Sequence, residues 1–255
     1  MEDTAPNSTT VCRFRNTLVE AGLYDMILDE MNRKLKEKDI IVRNDTIVET
    51  SIIDTPRRPR GYREYEVMED CNEEDGRETL QEAMLKEVVK SNVDGDARWN
   101  KKMEKLHFGY KRHMVTDENG LVLAKETTTA NESDIKHFKT PLKKAGFPQG
   151  TPVYADKGYD SIENRKTLGK MKLKSRIMHK GIRGKKITER QQRVNVAISN
   201  IIYRVERTFG SLHRWFLGGV ARYVGLANTH AQHTMEAMAY NLYRAPGIIE
   251  SNSLR

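Results

Sequence analysis

The sequence predicts an α/β fold, a mixed five-stranded sheet flanked by helices and interrupted by an acidic mobile insertion, on three observations. Thr46–Ile53 is almost wholly β-branched, as a buried strand requires. Asp117-Glu118-Asn119-Gly120 separates two β-rich runs, His107–Val115 and Leu121–Thr129, as the turn of a hairpin does. Beyond that hairpin, short apolar runs alternate with amphipathic stretches and end in one long helical segment. That order packs helices on both faces of a sheet.

Taken in order, residues 1–10 are polar and read as disordered. Phe14 and Leu18 mark a first helix that Gly22 ends. Leu23, Ile27, Met31 and Leu35 mark a second, at a strict spacing of four. Together they form an N-terminal helical segment over residues 1–45, ahead of a main domain over 46–245 and a tail over 246–255. Pro56 and Pro59 end the first strand. Residues 61–96 form the insertion, acidic and mostly non-periodic, read as a mobile surface excursion with a short helix at Glu78–Lys90. Asp96–Lys102 leads into the hairpin. Asp134–Ala145 reads as a helix ending at Gly146. Thr151–Asp156 is a short strand, after which Lys157-Gly158-Tyr159 turns into a helix over Ser161–Met171, and Lys174–His179 is a fifth strand. A basic loop, Gly181–Lys186, precedes the long helix. Thr188 is its expected N-cap, and Val194, Ile198, Ile201, Ile202, Val205, Phe209 and Leu212 recur at steps of three and four as its apolar stripe. A last helix, Asn228–Tyr243, offers Ala231, Met235, Met238, Ala239 and Leu242 to the sheet. This order fits a ribonuclease H-like fold, whose elements are a strand, a hairpin and alternating helix–strand units.

Charge bounds the partners. The 255 residues carry a formal net charge of +8, unevenly placed. Glu64–Asp94 holds eleven Asp and Glu against three Lys and Arg, whereas Arg165–Arg222 holds sixteen Lys and Arg against two acids. Clustered positive charge suits a polyanion. Cys12 and Cys71, without CxxC spacing, make neither a disulfide framework nor a zinc site and fit a reducing cytosol. The start, MEDTAPNSTT, is no signal peptide, and no apolar run approaches the roughly 20 residues of a membrane helix.

Three carboxylates stand out. Glu49 lies inside the buried strand, where an unpaired charge is costly unless it is paired or binds a metal. Asp156 lies at the carboxyl end of a strand, where open sheets gather their chemistry. Glu206 borders the apolar stripe of the long helix; its plain alternative is an ion pair with Arg193, Arg204 or Arg207. In a ribonuclease H-like sheet the first and fourth strands are neighbours, so Glu49 and Asp156 can converge, and the long helix can bring Glu206 to the same edge. Three such charges repel unless cations neutralise them. All-oxygen ligation suits Mg²⁺ or Mn²⁺, and two such ions about 3.5–4 Å apart drive in-line attack on phosphorus.

The runs VETSIIDTPRRP, DARWNKK, HFGYKRHMVTDENGLV, TTTANESD, YADKGYDSIEN, RVERTFGSLHRWF, ARYVGLANTHAQH and EAMAYNLYR resemble the DDE transposases of the family named after insertion sequence five, from about residue 10 onward. The resemblance implies metal-dependent cleavage and strand transfer of transposon ends. It implies a metal site with two ions, in which Asp156 matches the second aspartate and Glu206 the glutamate. Glu49 stands where the family carries aspartate, and Asp54 is no substitute, because it lies on the opposite strand face roughly 16 Å away. The family often has lysine where this chain has His213, beside Arg214. Lys157 and Arg207 flank acidic positions, and with Arg183, Lys185 and Lys186 of the basic loop they complete the expected DNA contacts. The resemblance further implies a homodimer on DNA, no membrane, and a bacterial cytoplasmic, nucleoid-associated location. Full-length members carry a further helical region before their Phe-Arg helix, so the chain reads as truncated. Two other readings stay open on the residues: a non-catalytic DNA-binding remnant or regulator, and a host-adopted nuclease of the same fold.

Overall fold

The structure, a computed structural model, describes residues 5–60, 65–68, 84–87, 92–182, 184 and 186–253. Its centre is β1 (Thr46–Asp54), which is flanked on both sides. Antiparallel β5 (Lys105–Asp117) lies along one edge, and parallel β7 (Pro152–Ala155) along the other. β8 (Lys174–Ile177) pairs parallel with β7, and β6 (Val122–Thr129) pairs antiparallel with β5. The mixed sheet flanked by helices is the expected architecture, but it has six strands rather than five. The sixth is β4 (Arg98–Lys102), a polar edge strand paired with Lys105–Gly109. Within residues 61–96, β2 (Tyr65–Met68) and β3 (Met84–Glu87) form an antiparallel pair. Residues 84–87 are therefore strand, not part of the helix expected over Glu78–Lys90, and the mobile character expected of the insertion lies outside the described residues.

The helices depart from expectation in instructive places. α1 (Ser8–Glu20) starts inside the stretch read as disordered, because the Asn7 side chain accepts from the Thr10 amide and caps it. α1 has no buried residue, and Phe14 is exposed. α2 (Tyr24–Glu37) buries Tyr24, Leu28, Asn32 and Leu35, a face turned from the expected one. The cause is polar: Asn32 donates to the carbonyls of Val122 and Leu123, and Asn241 donates to Asn32. A 3-10 turn at Asp134–His137 precedes α3 (Lys139–Ala145), so one expected helix is two pieces broken at buried Phe138. α4 (Ile162–Lys170) is capped by Ser161. α5 (Glu189–Phe216) opens on a full capping box, in which the Thr188 hydroxyl accepts from the Gln191 amide and the Gln191 side chain accepts from the Thr188 amide. α6 (Leu226–Ser253) runs through Pro246 and past the expected end at Tyr243. Ala245 and Ile248 belong to the core, so the expected tail is helix to Ser253. No helix among the described residues is long and apolar enough to cross a membrane.

Alternation along β1 divides the core. Val48 faces one layer with Val115, Val153, Phe138, Leu142 and Leu168, while Ile47 faces the other with Ile198 and Ile202 of α5. Each fully buried Ile or Leu contributes about 1.5–3 kcal/mol.

Buried imidazole makes this core acid-sensitive. His113 on β5 is buried between Thr50 Oγ1, 2.9 Å from Nδ1, and Thr128 Oγ1, 3.2 Å from Nε2. Burial pushes its pKa down to about 3. Asp134 opposes that shift, and His137 and Lys111 reinforce it. The folded state thus holds His113 neutral, whereas the unfolded chain protonates near 6.5. Its contribution is full above pH 6.5 and is lost as pH falls toward 3, by at most about 1.4 kcal/mol per unit. Other buried groups titrate too, so the wild type must be compared with His113→Gln. In urea unfolding, the stability gap between the two should narrow steadily below pH 6.5; a gap independent of pH would refute this.

Candidate active site

The side-chain alternation that builds the core also places the three acids. Ile47, Tyr154 and Ile202 surround one apolar cluster under α5, with Ile198, Met178, Ile201 and Phe209. Two residues along β1 from Ile47, on the same face, is Glu49. Two residues along from Tyr154 is Asp156, and one helical turn from Ile202 is Glu206. Each carboxylate therefore stands one step beyond a member of that cluster. The strand register agrees: Val48 lies opposite Ala155, and β7 ends there. Glu49 and Asp156 are the next residues of the two adjacent strands.

Asp156 caps the 3-10 turn Lys157–Tyr159, its Oδ1 accepting from the Lys157 amide at 2.7 Å. Glu49 is half-buried, and its Oε2 is buried without a hydrogen-bond partner. Burial pushes the Glu49 carboxyl up to about 7. The negative charges of Asp156 and Glu206 add to that, and Lys102 opposes it. Glu49 is thus near enough to both Asp156 and Glu206 for their charges to act on it. Among the described residues, however, no three acidic, histidine or cysteine side chains close around one point as a cation cage. What the residues offer a divalent cation is a hard, all-oxygen donor set and one orphaned buried carboxylate oxygen, and these fit one.

Behind the carboxylates, on the opposite face of β1, buried Tyr159 hydrogen-bonds Thr50 through its hydroxyl, which also lies 3.4 Å from His113 Nδ1. This polar brace ties β1, β5 and the turn after Asp156 together.

The expected basic contacts scatter. Lys157 is exposed on the turn after Asp156, and Lys186 is exposed before α5. Arg183 and Lys185 lie outside the described residues. His213 follows Glu206 by seven residues, about two helical turns, so it shares that helix face. Its ring packs on Gly219, where a Cβ would stand 2.0 Å from Nε2. Arg214 is exposed, with its guanidinium 4.9 Å from the Trp215 ring centroid. Arg207 borders a groove between α5 and α6, with Trp215, Tyr243 and Arg244. The ion-pair alternative for Glu206 loses Arg193, which pairs with Glu189 at 3.6 Å. Asp54 is committed elsewhere, both oxygens lying 3.0 Å from His107 Nδ1. Sequence reasoning missed Lys102, the cation that acts on Glu49. It sits on a polar edge strand with no periodicity to mark it.

Residues 41–242 match the family described as Transposase DDE domain. The chain is also similar to a protein of Neisseria meningitidis serogroup B named as the transposase for insertion sequence element IS1106. The two are 37% identical over 235 residues, which span 91% of this chain and 76% of that protein. No solved structure matches.

Proposed function

The chain belongs to the DDE-domain transposases, and from that premise we propose that Glu49, Asp156 and Glu206 are the metal-binding carboxylates of its DNA cleavage and strand-transfer centre. DDE transposase domains act on DNA and use divalent metal ions. The observation that carries the assignment is electrostatic: Glu49, with an orphaned buried oxygen, feels both other acids.

Two ions, Mg²⁺ or Mn²⁺, would supply an activated oxygen nucleophile and neutralise charge at phosphorus when held by these three side chains. The rest belongs to the chain. β1 and the turn after Asp156, tied with β5 by the Thr50–Tyr159–His113 brace, fix Glu49 and Asp156. Glu206, on the exposed flank of α5, completes the set from a separate element. Exposed Lys157, Lys186 and His213 are the side chains this reading assigns to the phosphates of a bound strand. Water is the nucleophile that releases the transposon end, and the freed 3′-hydroxyl is the nucleophile that joins it to target DNA. A homodimer on DNA would present two ends together, in an enzyme of the insertion-sequence-five lineage.

Calorimetric titration with Mn²⁺ tests the assignment. Uptake by the unsubstituted chain and none by Asp156→Ala is expected; equal uptake by both would overturn it. The second reading, a DNA-binding remnant without chemistry, draws on Glu49, whose extra methylene displaces the carboxylate. Glu49→Asp should therefore raise the rate of Mn²⁺-dependent plasmid nicking, by about tenfold, since misplacement near 1 Å is worth up to about 10²-fold. No gain would mean that the glutamate is already correctly placed.

A further inference from the structure

The hairpin of β4 and β5 is the feature that fold and chemistry leave unexplained. β5 pairs with β6 through Tyr110–Thr116, then changes partner, and Lys105–Gly109 pair with β4. Gly109 is the crossing point. A Cβ there would stand 2.1 Å from the Ile53 carbonyl oxygen, so the hairpin base is pressed against the end of β1. His107, on Asp54, holds it there.

The tip is the odd part. Met103 and Glu104 carry φ of +47° and +64°, which makes a two-residue loop of the kind Asn-Gly normally supplies. Neither residue suits that backbone, and Met103 is 92% exposed, with Leu106 62% exposed beside it. A turn selected for stability would carry neither a strained backbone nor a bare methionine. The flanks are basic: Lys101, Lys102 and Lys105 are all exposed. Lys105 and Leu106, with Arg58 and Arg60, line a concavity of about 400 Å³ at the end of β1. Lys102 is also the cation whose charge opposes the upward shift at Glu49.

We propose that the β4–β5 hairpin is a DNA-gripping finger, in which Lys102 and Lys105, with Arg58 and Arg60, hold phosphates of the strand offered to the carboxylates, and Met103 wedges against a base step of that strand. Charge complementarity selects the occupant, and an apolar wedge beside basic contacts is how proteins unstack DNA locally. The finger's function, though not its geometry, rests on the carboxylate assignment above.

The test uses the full chain and a fluorescein-labelled duplex of random sequence, with affinity measured across a KCl series and Mn²⁺-dependent nicking measured in parallel. Lys102→Ala should weaken binding about fivefold and flatten the slope of log K against log salt by about one, and Lys102→Arg should restore the slope. Met103→Asn with Glu104→Gly keeps the loop and relieves its backbone. This double variant should melt no lower than the parent, bind with an unchanged salt slope, and nick about fivefold more slowly. A double variant that nicks as fast as the parent would make the tip merely structural. An unchanged slope in Lys102→Ala would remove the phosphate contact. Asp156→Ala on the same DNA separates the two ideas: if it still nicks, the carboxylate assignment fails, while the binding series still decides the finger.

Discussion

Asp156→Ala should lower Mn²⁺-dependent DNA cleavage by about 10³-fold or more, with DNA affinity within about twofold of the parent. The size follows from the role proposed for the side chain. Metal-held charge stabilisation at phosphorus is worth several kcal/mol, and about 4 kcal/mol is 10³-fold in rate. On the proposed reading DNA affinity comes from other groups, exposed Lys157, Lys186 and His213 among them, so it should survive. Alanine has one confounding effect: Asp156 Oδ1 also accepts from the Lys157 amide, and losing a cap costs about 1 kcal/mol. Asp156→Asn resolves this, because its amide oxygen can still accept that bond while the charge is gone. Both variants should lose cleavage equally. Cleavage that survives in the asparagine variant would mean that Asp156 shapes the turn rather than the chemistry.

How much of this was legible follows from where local signals and tertiary structure agree. β1 announced itself because it is buried on both faces, so β-branched residues fill it. The β5–β6 turn announced itself through Asn119-Gly120, with Gly120 at φ +82°. The long helix carried its cap, and Glu49 could be picked out as a charge where burial disfavours charge. The misses share a cause, which is that a partner elsewhere overrode the local pattern. Asn32 turned α2 toward two carbonyls of β6. The last helix was expected to end at Tyr243, yet Ala245 and Ile248 bury enough apolar surface to carry α6 on through Pro246. β4, RWNKK, has no apolar periodicity because it is an edge strand, held by the backbone of β5 and by Trp99 packing on Phe108. Residues 84–87 pair with 65–68 across a gap in sequence that helical composition could not reveal. Lys102 was invisible for the same reason as its strand.

The largest stability effect should come from α6. Glu236→Gln is expected to destabilise the fold by about 3–5 kcal/mol, because it leaves a buried guanidinium without its counter-charge. Arg112 and Glu236 are 2% and 3% exposed, joined at 2.8 Å from Nη1 to Oε2. Gln232 donates to Oε1 at 2.7 Å, Arg222 reaches it at 3.3 Å, and Arg112 Nη2 donates to the Gly218 carbonyl at 3.2 Å. Burial draws the Arg112 pKa down and Glu236 pushes back, so the two are balanced only as a pair. A Cβ on Gly218 would stand 2.9 Å from Glu236 Oε2, so even the loop leaving α5 is fitted to this ion pair. The pair thereby ties β5, α6 and the end of α5, the helix that carries Glu206. Urea unfolding at neutral pH measures the effect, and a loss under about 1 kcal/mol would show that water or a neighbour compensates the charge. Arg112→Met with Glu236→Leu supplies the complementary result. Removing both charges should recover most of the stability, since a buried ion pair rarely outperforms a well-packed apolar one. If the double variant is stable yet cleaves DNA poorly, the ion pair sets the pose of α5 over the carboxylates. If it cleaves normally, the pair serves the fold alone.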